Sequence, residues 1–435
     1  MEVSSINRLL LEASPAALAE ALPHLKALRE SKHQFRFDFG LESLPDQPGI
    51  LLVRGPRQYG KSTWLEQQME QSHKKFGPGS VLYINADYLR DADELFEEIR
   101  GLAKFFSSRS AILRLFIDEI TSVAGWEVAL KKLADRGELR SILVVTTGSK
   151  AQDLRRGIEK LPGRKGRLPR STFIFTPISF AEYKRVCGRE LGDDLLNAYL
   201  LSGGSPIACA AVAEHKALPE FIVELVMDWI FGAIAQSGRS RGSALGVIEA
   251  VNKFAQNPVG QAKLARETGL ASNTLAQGYI DVFGDLLCIL PSFPKDLEKG
   301  IVLRRRPCKF HYVNLLAAIC LNPSMPRTLK AFSGFPEAEK GKLLEWLIAQ
   351  ELWRRRCITQ SLPLDELYFC GSREHEIDFV EGDRLIEVKN GKSHPADFEW
   401  FTKSFPNRRL CIVGGSRYET KGMEGKTVED FLLEG

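Results

Sequence analysis

Residues 51–63 read Leu-Leu-Val-Arg-Gly-Pro-Arg-Gln-Tyr-Gly-Lys-Ser-Thr, an apolar strand that runs into Gly55-x-x-x-x-Gly60-Lys61-Ser62. This is the spacing of a phosphate-binding loop, in which glycines let backbone N–H groups wrap a triphosphate and a lysine reaches its outer phosphates. The next stretch, Thr63-Trp-Leu-Glu-Gln-Gln-Met, reads as a helix whose positive N-terminal end faces the anion. A glycine turn with an incidental lysine is disfavoured, because strand, loop and helix signals agree. Gly55, Pro56, Arg57, Gln58, Tyr59, Gly60, Lys61, Ser62 and Thr63 are therefore the expected ATP cradle. Lys61 touches the phosphates and the Ser62 hydroxyl ligates Mg²⁺.

Working outward, Ile112-Leu-Arg-Leu-Phe-Ile-Asp118-Glu119 is a second apolar strand, ending in paired carboxylates. Beside a phosphate loop, an aspartate at a strand end holds Mg²⁺. Asp118 is assigned that role and Glu119 the polarisation of the attacking water. A third strand, Ser141 to Ser149, ends in hydroxyls, and Thr147 is the expected sensor of the γ-phosphate. Strands at Ile50–Val53, Ser80–Asn85, Leu113–Ile117, Ser141–Thr146 and Thr172–Thr176 alternate with helical stretches. That rhythm predicts an α/β fold, a parallel sheet covered on both faces. The segment Gly157–Arg170 carries five basic residues and three glycines. Arg164 and Arg167 there are candidates for a cation reaching a neighbouring subunit's phosphate in a homo-oligomer. A solvated basic loop is the equal alternative.

Bulk composition sets the class. The chain has 435 residues, 44% apolar and 26% charged, which is ordinary for a globular protein of several domains. No apolar run reaches the ~18 residues of a membrane span, and Leu9-Leu-Leu11 lacks the basic leader of a signal peptide. No membrane partner is expected. Eight scattered cysteines without a C-x-x-C pair imply reduced thiols, no zinc site and a cytoplasmic location. Net charge is only +4, but Arg304-Arg-Arg306, Arg354-Arg-Arg356 and Lys403…Arg408-Arg409 crowd the last third. Such runs are usually solvated faces; three together suggest a phosphate-binding surface for DNA.

Residues 177–240 read as helices interrupted by Ser202-Gly-Gly-Ser-Pro206, a lid in outline. After them come a helix at Leu245–Phe254, a second at Gln261–Thr268, a Gly269 turn, and a third helix, Asn273–Phe283, capped by Ser272. The strand Leu286–Leu290 completes the order of a winged helix-turn-helix. Ser272, Asn273, Thr274 and Gln277 would face a DNA groove. The third helix has no Lys or Arg, however, and winged helices also serve as packing modules, so both roles stay open.

Glu376-Ile-Asp-Phe-Val-Glu-Gly-Asp-Arg-Leu-Ile-Glu-Val-Lys389 alternates apolar and charged residues around Gly382-Asp383. It predicts a β-hairpin with a two-residue type II′ turn. In that register Asp378 faces Glu387 and Glu376 faces Lys389. Two carboxylates roughly 5 Å apart are unfavourable without a cation, and Mg²⁺ between Asp378 and Glu387 would make the pair favourable. Lys389 lies on the same strand face as Glu387 and is expected to orient water or steady the phosphate. The alternative is a solvent-facing hairpin stabilised by a Glu376–Lys389 pair.

The phosphate loop, Phe116-Ile-Asp-Glu-Ile120, Thr147-Gly-Ser149 and Pro177-Ile-Ser-Phe-x-Glu-Tyr183 together resemble the prokaryotic archaeal-type ATPases related to the AAA+ and STAND groups. Tyr199-Leu-Leu-Ser-Gly-Gly-Ser-Pro206, Lys309-Phe-His-Tyr-Val-Asn314, Gly341-Lys-Leu-Leu-Glu345 and the hairpin extend the likeness over nearly the whole chain after residue 48. Tyr59 and Asn314 depart from the usual pattern without removing a ligand. Ala and Leu at helical spacing around Pro15 and Pro23 predict an N-terminal helical segment (1–46); with the resemblance, the rest divides into an ATPase core (47–176), a helical lid (177–240), a winged helix (241–295), a connector (296–334) and an α/β domain like the PD-(D/E)xK nucleases (335–435). The resemblance also implies that Glu345, Asp378, Glu387 and Lys389 form a nuclease set. The expected function is ATP hydrolysis coupled to DNA binding and Mg²⁺-dependent cleavage, in defence against foreign DNA. The alternative is an ATP-switched DNA- or protein-binding regulator whose nuclease-like domain is silent.

Overall fold

Five strands, Gly49–Arg54 (β1), Val81–Asn85 (β2), Leu113–Asp118 (β3), Ile142–Gly148 (β4) and Thr172–Ile174 (β5), form one sheet in the order β2-β3-β4-β1-β5. Every pairing in it is parallel. All of β1 and β4 is buried, as a sheet covered on both faces requires. Side chains alternate between the faces. Ile50, Leu52, Leu115 and Ile117 face a core built with Ala92–Ala103 (α5) and Trp126–Asp135 (α6). Leu51, Val53, Phe116 and Val145 face a second core shared with Lys61–Phe76 (α4).

The chain before β1 forms three short helices, Ser5–Glu12 (α1), Pro15–Ala21 (α2) and Pro23–Glu30 (α3). Leu10, Leu18, Leu22 and Leu25 pack into the second core. Polar bonds fix the docking: the Asn7 amide exchanges two 2.8 Å hydrogen bonds with the Tyr83 backbone, and the Leu25 N–H donates to Glu66. These helices are a layer of the sheet unit, because only there are their leucines covered.

The structure, a computed structural model, describes residues 4–12, 14–108, 110, 112–149, 161, 163–360, 366–371 and 374–434. They fall into two units, Met1–Thr176 with Cys357–Pro363, and Pro177–Arg356 with Leu364–Gly435. Much of the basic Gly157–Arg170 loop lies outside the described residues. Among the described residues no single helix is long and apolar enough to cross a membrane. All eight cysteines are buried, and none of them forms a disulfide.

The second unit starts with four helices, Phe180–Leu191 (α7), Leu195–Ser202 (α8), Pro206–His215 (α9) and Glu220–Gln236 (α10). Arg241–Lys253 (α11), Gln261–Glu267 (α12) and Asn273–Asp285 (α13) follow, and the Ser272 hydroxyl caps α13 by accepting from the Leu275 N–H. Strand Ile289–Asp296 (β6) then pairs antiparallel with Ile301–Val302 (β7) and Lys309–Tyr312 (β8). Helices Leu315–Leu321 (α14), Leu329–Ser333 (α15) and Glu337–Thr359 (α16) lead to Leu367–Gly371 (β9), which returns parallel to β6.

Glu376–Ile377 (β10) pairs with β9, whereas Phe379–Glu381 (β11) pairs with Arg384–Val388 (β12). The sheet continues through Arg409–Gly414 (β13), Tyr418–Thr420 (β14) and Met423–Thr427 (β15) in the order β11-β12-β13-β15-β14. Glu399–Ser404 (α17) and Val428–Leu433 (α18) complete the unit. Phe379↔Ile386, Val380↔Leu385 and Glu381↔Arg384 reproduce the expected hairpin register. Gly382 has φ +59° while Asp383 is not left-handed, as a II′ turn requires. The hairpin is shorter than expected. At Asp378 the strand leaves β12, so Glu376 lies beside Gly371 and not beside Lys389.

Candidate functional site

The expected ATP cradle is set by backbone first. Gln58 and Gly60 both take left-handed conformations (φ +63° and +94°), which curl the loop before α4 begins. A Cβ on Gly55 would meet the Phe175 carbonyl oxygen at 2.9 Å, and one on Gly60 the Phe37 ring at 2.6 Å. Glycine is needed at both positions for these approaches. Lys61 is buried and its ammonium donates to the carbonyls of Gly55 (3.0 Å) and Pro56 (2.8 Å), with Glu119 Oε1 at 3.9 Å. Burial lowers its pKa, and Glu119 and Asp118 only partly offset that.

Strand order brings the carboxylates to the same place. β4 lies between β1 and β3, with Val53↔Thr147 on one side and Ile117↔Thr146 on the other. Thr147 donates to Asp118 Oδ1 and accepts from the Glu119 N–H (3.0 Å). The expected γ-phosphate sensor is therefore tied to the aspartate expected to hold Mg²⁺. Glu119 takes a left-handed conformation (φ 48°, ψ 45°), a strain of ~1–3 kcal/mol of the kind found at functional sites. Its Oε2 accepts from the Ser149 N–H (3.1 Å) and hydroxyl (3.0 Å), and Arg57 reaches the same hydroxyl at 3.3 Å. Ser149 was not singled out from the sequence, although the hydroxyl-rich end of β4 was its signal. The curled loop, the helix N-terminus and the buried lysine suit a triphosphate. Ser62 and Asp118 are the residues that would hold Mg²⁺. Of the two finger candidates, Arg164 is paired with Asp135 (2.6 Å) in its own chain, and Arg167 is exposed.

In the second unit Glu345, Asp378, Glu387 and Lys389 do come together, but around a residue not assigned a role from the sequence. The Lys309 ammonium lies 2.8 Å from Glu376 Oε1, 3.0 Å from Asp378 Oδ1 and 3.7 Å from Glu345 Oε1. His311, two residues along β8, is 3.7 Å from the same Glu345 oxygen. The second Asp378 oxygen accepts from the Val388 N–H at 3.0 Å. Lys389 pairs with Glu387 at 2.6 Å, so the expected Glu376–Lys389 pair is replaced by two others.

Burial, then Asp378, pushes Glu345 up to about 8 and Glu387 up to about 7. Burial works against the Lys309 charge, but Asp378, Glu345 and Glu376 together hold its pKa above the usual value. Glu345 Oε1 and Glu387 Oε2 are buried without a hydrogen-bond partner. A cleft of about 470 Å³, lined by Glu376, Glu387, Lys389, Lys392 and Trp400 among others, opens beside the cluster.

As arranged, these residues do not fit a divalent ion. Among the described residues no group of three His, Cys, Asp or Glu side chains is gathered for a metal. The cation that the facing carboxylates need is already present as Lys309.

The three basic runs fare differently. Arg354 is buried with Glu351 (2.8 Å), Arg355 pairs with the same carboxylate (2.7 Å), and Arg356 donates to the Val380 carbonyl. That run packs the interior of its unit, because α16 turns it inward, and it is removed from the expected DNA surface. Arg304 pairs with Glu366 and Arg408 with Asp383. Arg305, Arg306, Lys403 and Arg409 are exposed. Ser272, Asn273 and Thr274 are exposed at the start of α13, whereas Gln277 is bonded to Gln261 and Asp281.

Residues 47–184 match the family profile described as an AAA domain. With the phosphate loop and strand order above, this part of the chain is an AAA-type P-loop ATPase domain. A protein from Methanocaldococcus jannaschii is 22% identical over 423 residues, covering 90% of this chain and 87% of its own. A second protein from that organism is 30% identical over 141 residues, 29% of this chain and 28% of its own. The Walker-type ATPase of Pyrococcus abyssi is similar in structure at 14% identity and a TM-score of 0.43, covering 69% of this chain and 94% of that one.

Proposed function

We propose that this protein hydrolyses ATP and uses its nucleotide state to govern DNA binding by the second unit. The observation that carries the ATPase part is the junction of β1, β3 and β4. It brings Lys61, Asp118, Glu119 and Thr147 within hydrogen-bond or ion-pair reach of one another. When bound, Mg²⁺ supplies charge neutralisation at the phosphates. Lys61 binds the outer phosphates, Glu119 orients water, and Thr147 keeps Asp118 and Glu119 in register. Homo-oligomerisation would bring Arg167 to a neighbour's nucleotide.

DNA binding is supported by the segment that reads as a winged helix. Three helices lead into the antiparallel β6/β8 pair, with Arg305 and Arg306 exposed in the loop before β8 and the uncharged start of α13 exposed as well. Basic side chains there suit phosphate contacts, which fix position without reading sequence.

For the C-terminal cluster, binding without cutting is the reading that Lys309 favours. A second reading, Mg²⁺-dependent DNA cleavage in defence against foreign DNA, is favoured by the buried oxygens of Glu345 and Glu387 that have no hydrogen-bond partner. It requires Lys309 to yield its place. The test is a DNA-nicking assay with Mg²⁺ or Mn²⁺ under ATP and ADP, alongside DNA-binding titrations. Binding that differs between ATP and ADP without nicking supports the first reading. Nicking that Glu387→Ala abolishes establishes the second, and nucleotide-independent binding sinks the coupling itself.

A further inference from the structure

Lys309 and His311 project from the same face of β8, two residues apart, and both approach Glu345 Oε1 at 3.7 Å. Lys309 is the inner of the two in chemical terms, since it also holds Glu376 and Asp378 at 2.8 and 3.0 Å. Its side chain is 1% exposed and its ammonium lies 5.5 Å from the centre of the Phe369 ring. β8 is held to β6 from Lys309↔Ser292 to Tyr312↔Ile289, so the backbone that delivers the lysine is part of a sheet and not a loose loop. Asp378 has one oxygen on Lys309 and the other on the Val388 N–H. A divalent ion placed on Asp378 would therefore meet a second positive charge within ion-pair distance, and like charges so close repel strongly when water is excluded.

We propose that Lys309 is the resident cation of the Glu345/Glu376/Asp378 cluster and occupies the place a divalent metal would take. The wild-type site is thus neutralised from within and does not bind such an ion. Lys389, paired with Glu387 at the mouth of the cleft, remains the cation that faces incoming phosphate. The inference deepens the non-cutting reading and rests on it. Its test reads metal binding alone, so DNA binding can fail while the inference stands.

Nucleotide-free full-length protein is titrated with Mn²⁺, with free Mn²⁺ followed by electron paramagnetic resonance. Wild type and Glu387→Gln should give the same isotherm. Lys309→Met should gain a Mn²⁺ site, roughly a hundredfold tighter than any in wild type, and adding Asp378→Asn to it should remove that site. The proposal is overturned if wild type binds Mn²⁺ and Glu387→Gln loses it, or if folded Lys309→Met gains nothing. Should Lys309→Met fail to fold, the comparison of wild type with Glu387→Gln still decides, since Glu387 is bonded to Lys389 and not to Lys309.

Discussion

Among the described residues each unit buries one lysine beside carboxylates, and the two are held in opposite ways. Lys61 donates to two loop carbonyls and has its nearest carboxylate, Glu119, at 3.9 Å. Desolvation wins there, and its pKa is lowered. Lys309 has two carboxylates within 3.0 Å and a third at 3.7 Å, and their attraction wins over the same desolvation. A lysine that must greet an arriving anion is left short of negative charge. One that neutralises its own surroundings has no such capacity. Residue type and burial are the same; the count of nearby carboxylates separates a binding group from a structural one.

That contrast can be broken experimentally, and the largest effect should come from the first unit. Lys61→Ala should abolish ATP turnover measured as phosphate release, with unfolding temperature as the folding control; unchanged turnover would end the ATPase assignment. Glu119→Gln should keep ATP binding while lowering kcat by about 10²–10⁴-fold, the usual range for a positioned acid–base group. Equal losses in binding and turnover would show instead that Glu119 mainly holds the loop.

For the second lysine the readout is stability. Lys309→Ala leaves Glu376, Asp378 and Glu345 without their cation and should cost about 3–5 kcal/mol in denaturant unfolding, as for a broken buried pair. A loss below about 1 kcal/mol, typical of exposed pairs, would make Lys309 no more than a surface charge. Weaker still, the Arg305→Ala/Arg306→Ala double variant should lower DNA affinity across sequences and flatten its salt dependence by about one unit of slope per arginine. An unchanged slope would move the DNA surface elsewhere.

The smallest effect is a pH dependence. The Arg417 guanidinium, then the Thr427 hydroxyl, hydrogen-bonds the Asp430 carboxylate and holds its pKa down to about 2, below the usual aspartate range. A depressed carboxylate adds stability above its unfolded value and loses it as pH falls towards the folded one. Asp430→Asn should therefore lower the melting temperature slightly at pH 7, and the difference should vanish as the pH falls below 2. Because this pair is exposed, under about 1 kcal/mol is at stake.

Much of the first unit was legible in the sequence because its chemistry is contiguous. Gly55 to Ser62 carry loop, lysine and hydroxyl in one stretch, and Asp118-Glu119 end a strand whose apolar run announces it. Thr147 was legible as a strand-end hydroxyl, but its bond to Asp118 depends on β4 lying between β1 and β3. The hairpin register followed from alternation and a Gly-Asp turn. Where that register fails, at Glu376, β9 takes over as the partner of β10, and Lys309, 69 residues before Asp378, supplies the cation. The Arg354–Arg356 run shows the same limit, since charge alone does not tell which helix face turns inward.

The sequence by itself determined the phosphate loop, the strand ends that carry Asp118 and Glu119, and the II′ turn at Gly382-Asp383. Each depends on backbone conformations and periodicities encoded within a few residues. Only the tertiary structure decided which cation answers the C-terminal carboxylates. β6 pairs with β8 on one side and β9 on the other, and that long-range pairing puts Lys309 against Glu345, Glu376 and Asp378. Electrostatic energy depends on distance through space, which the order of residues along the chain does not fix.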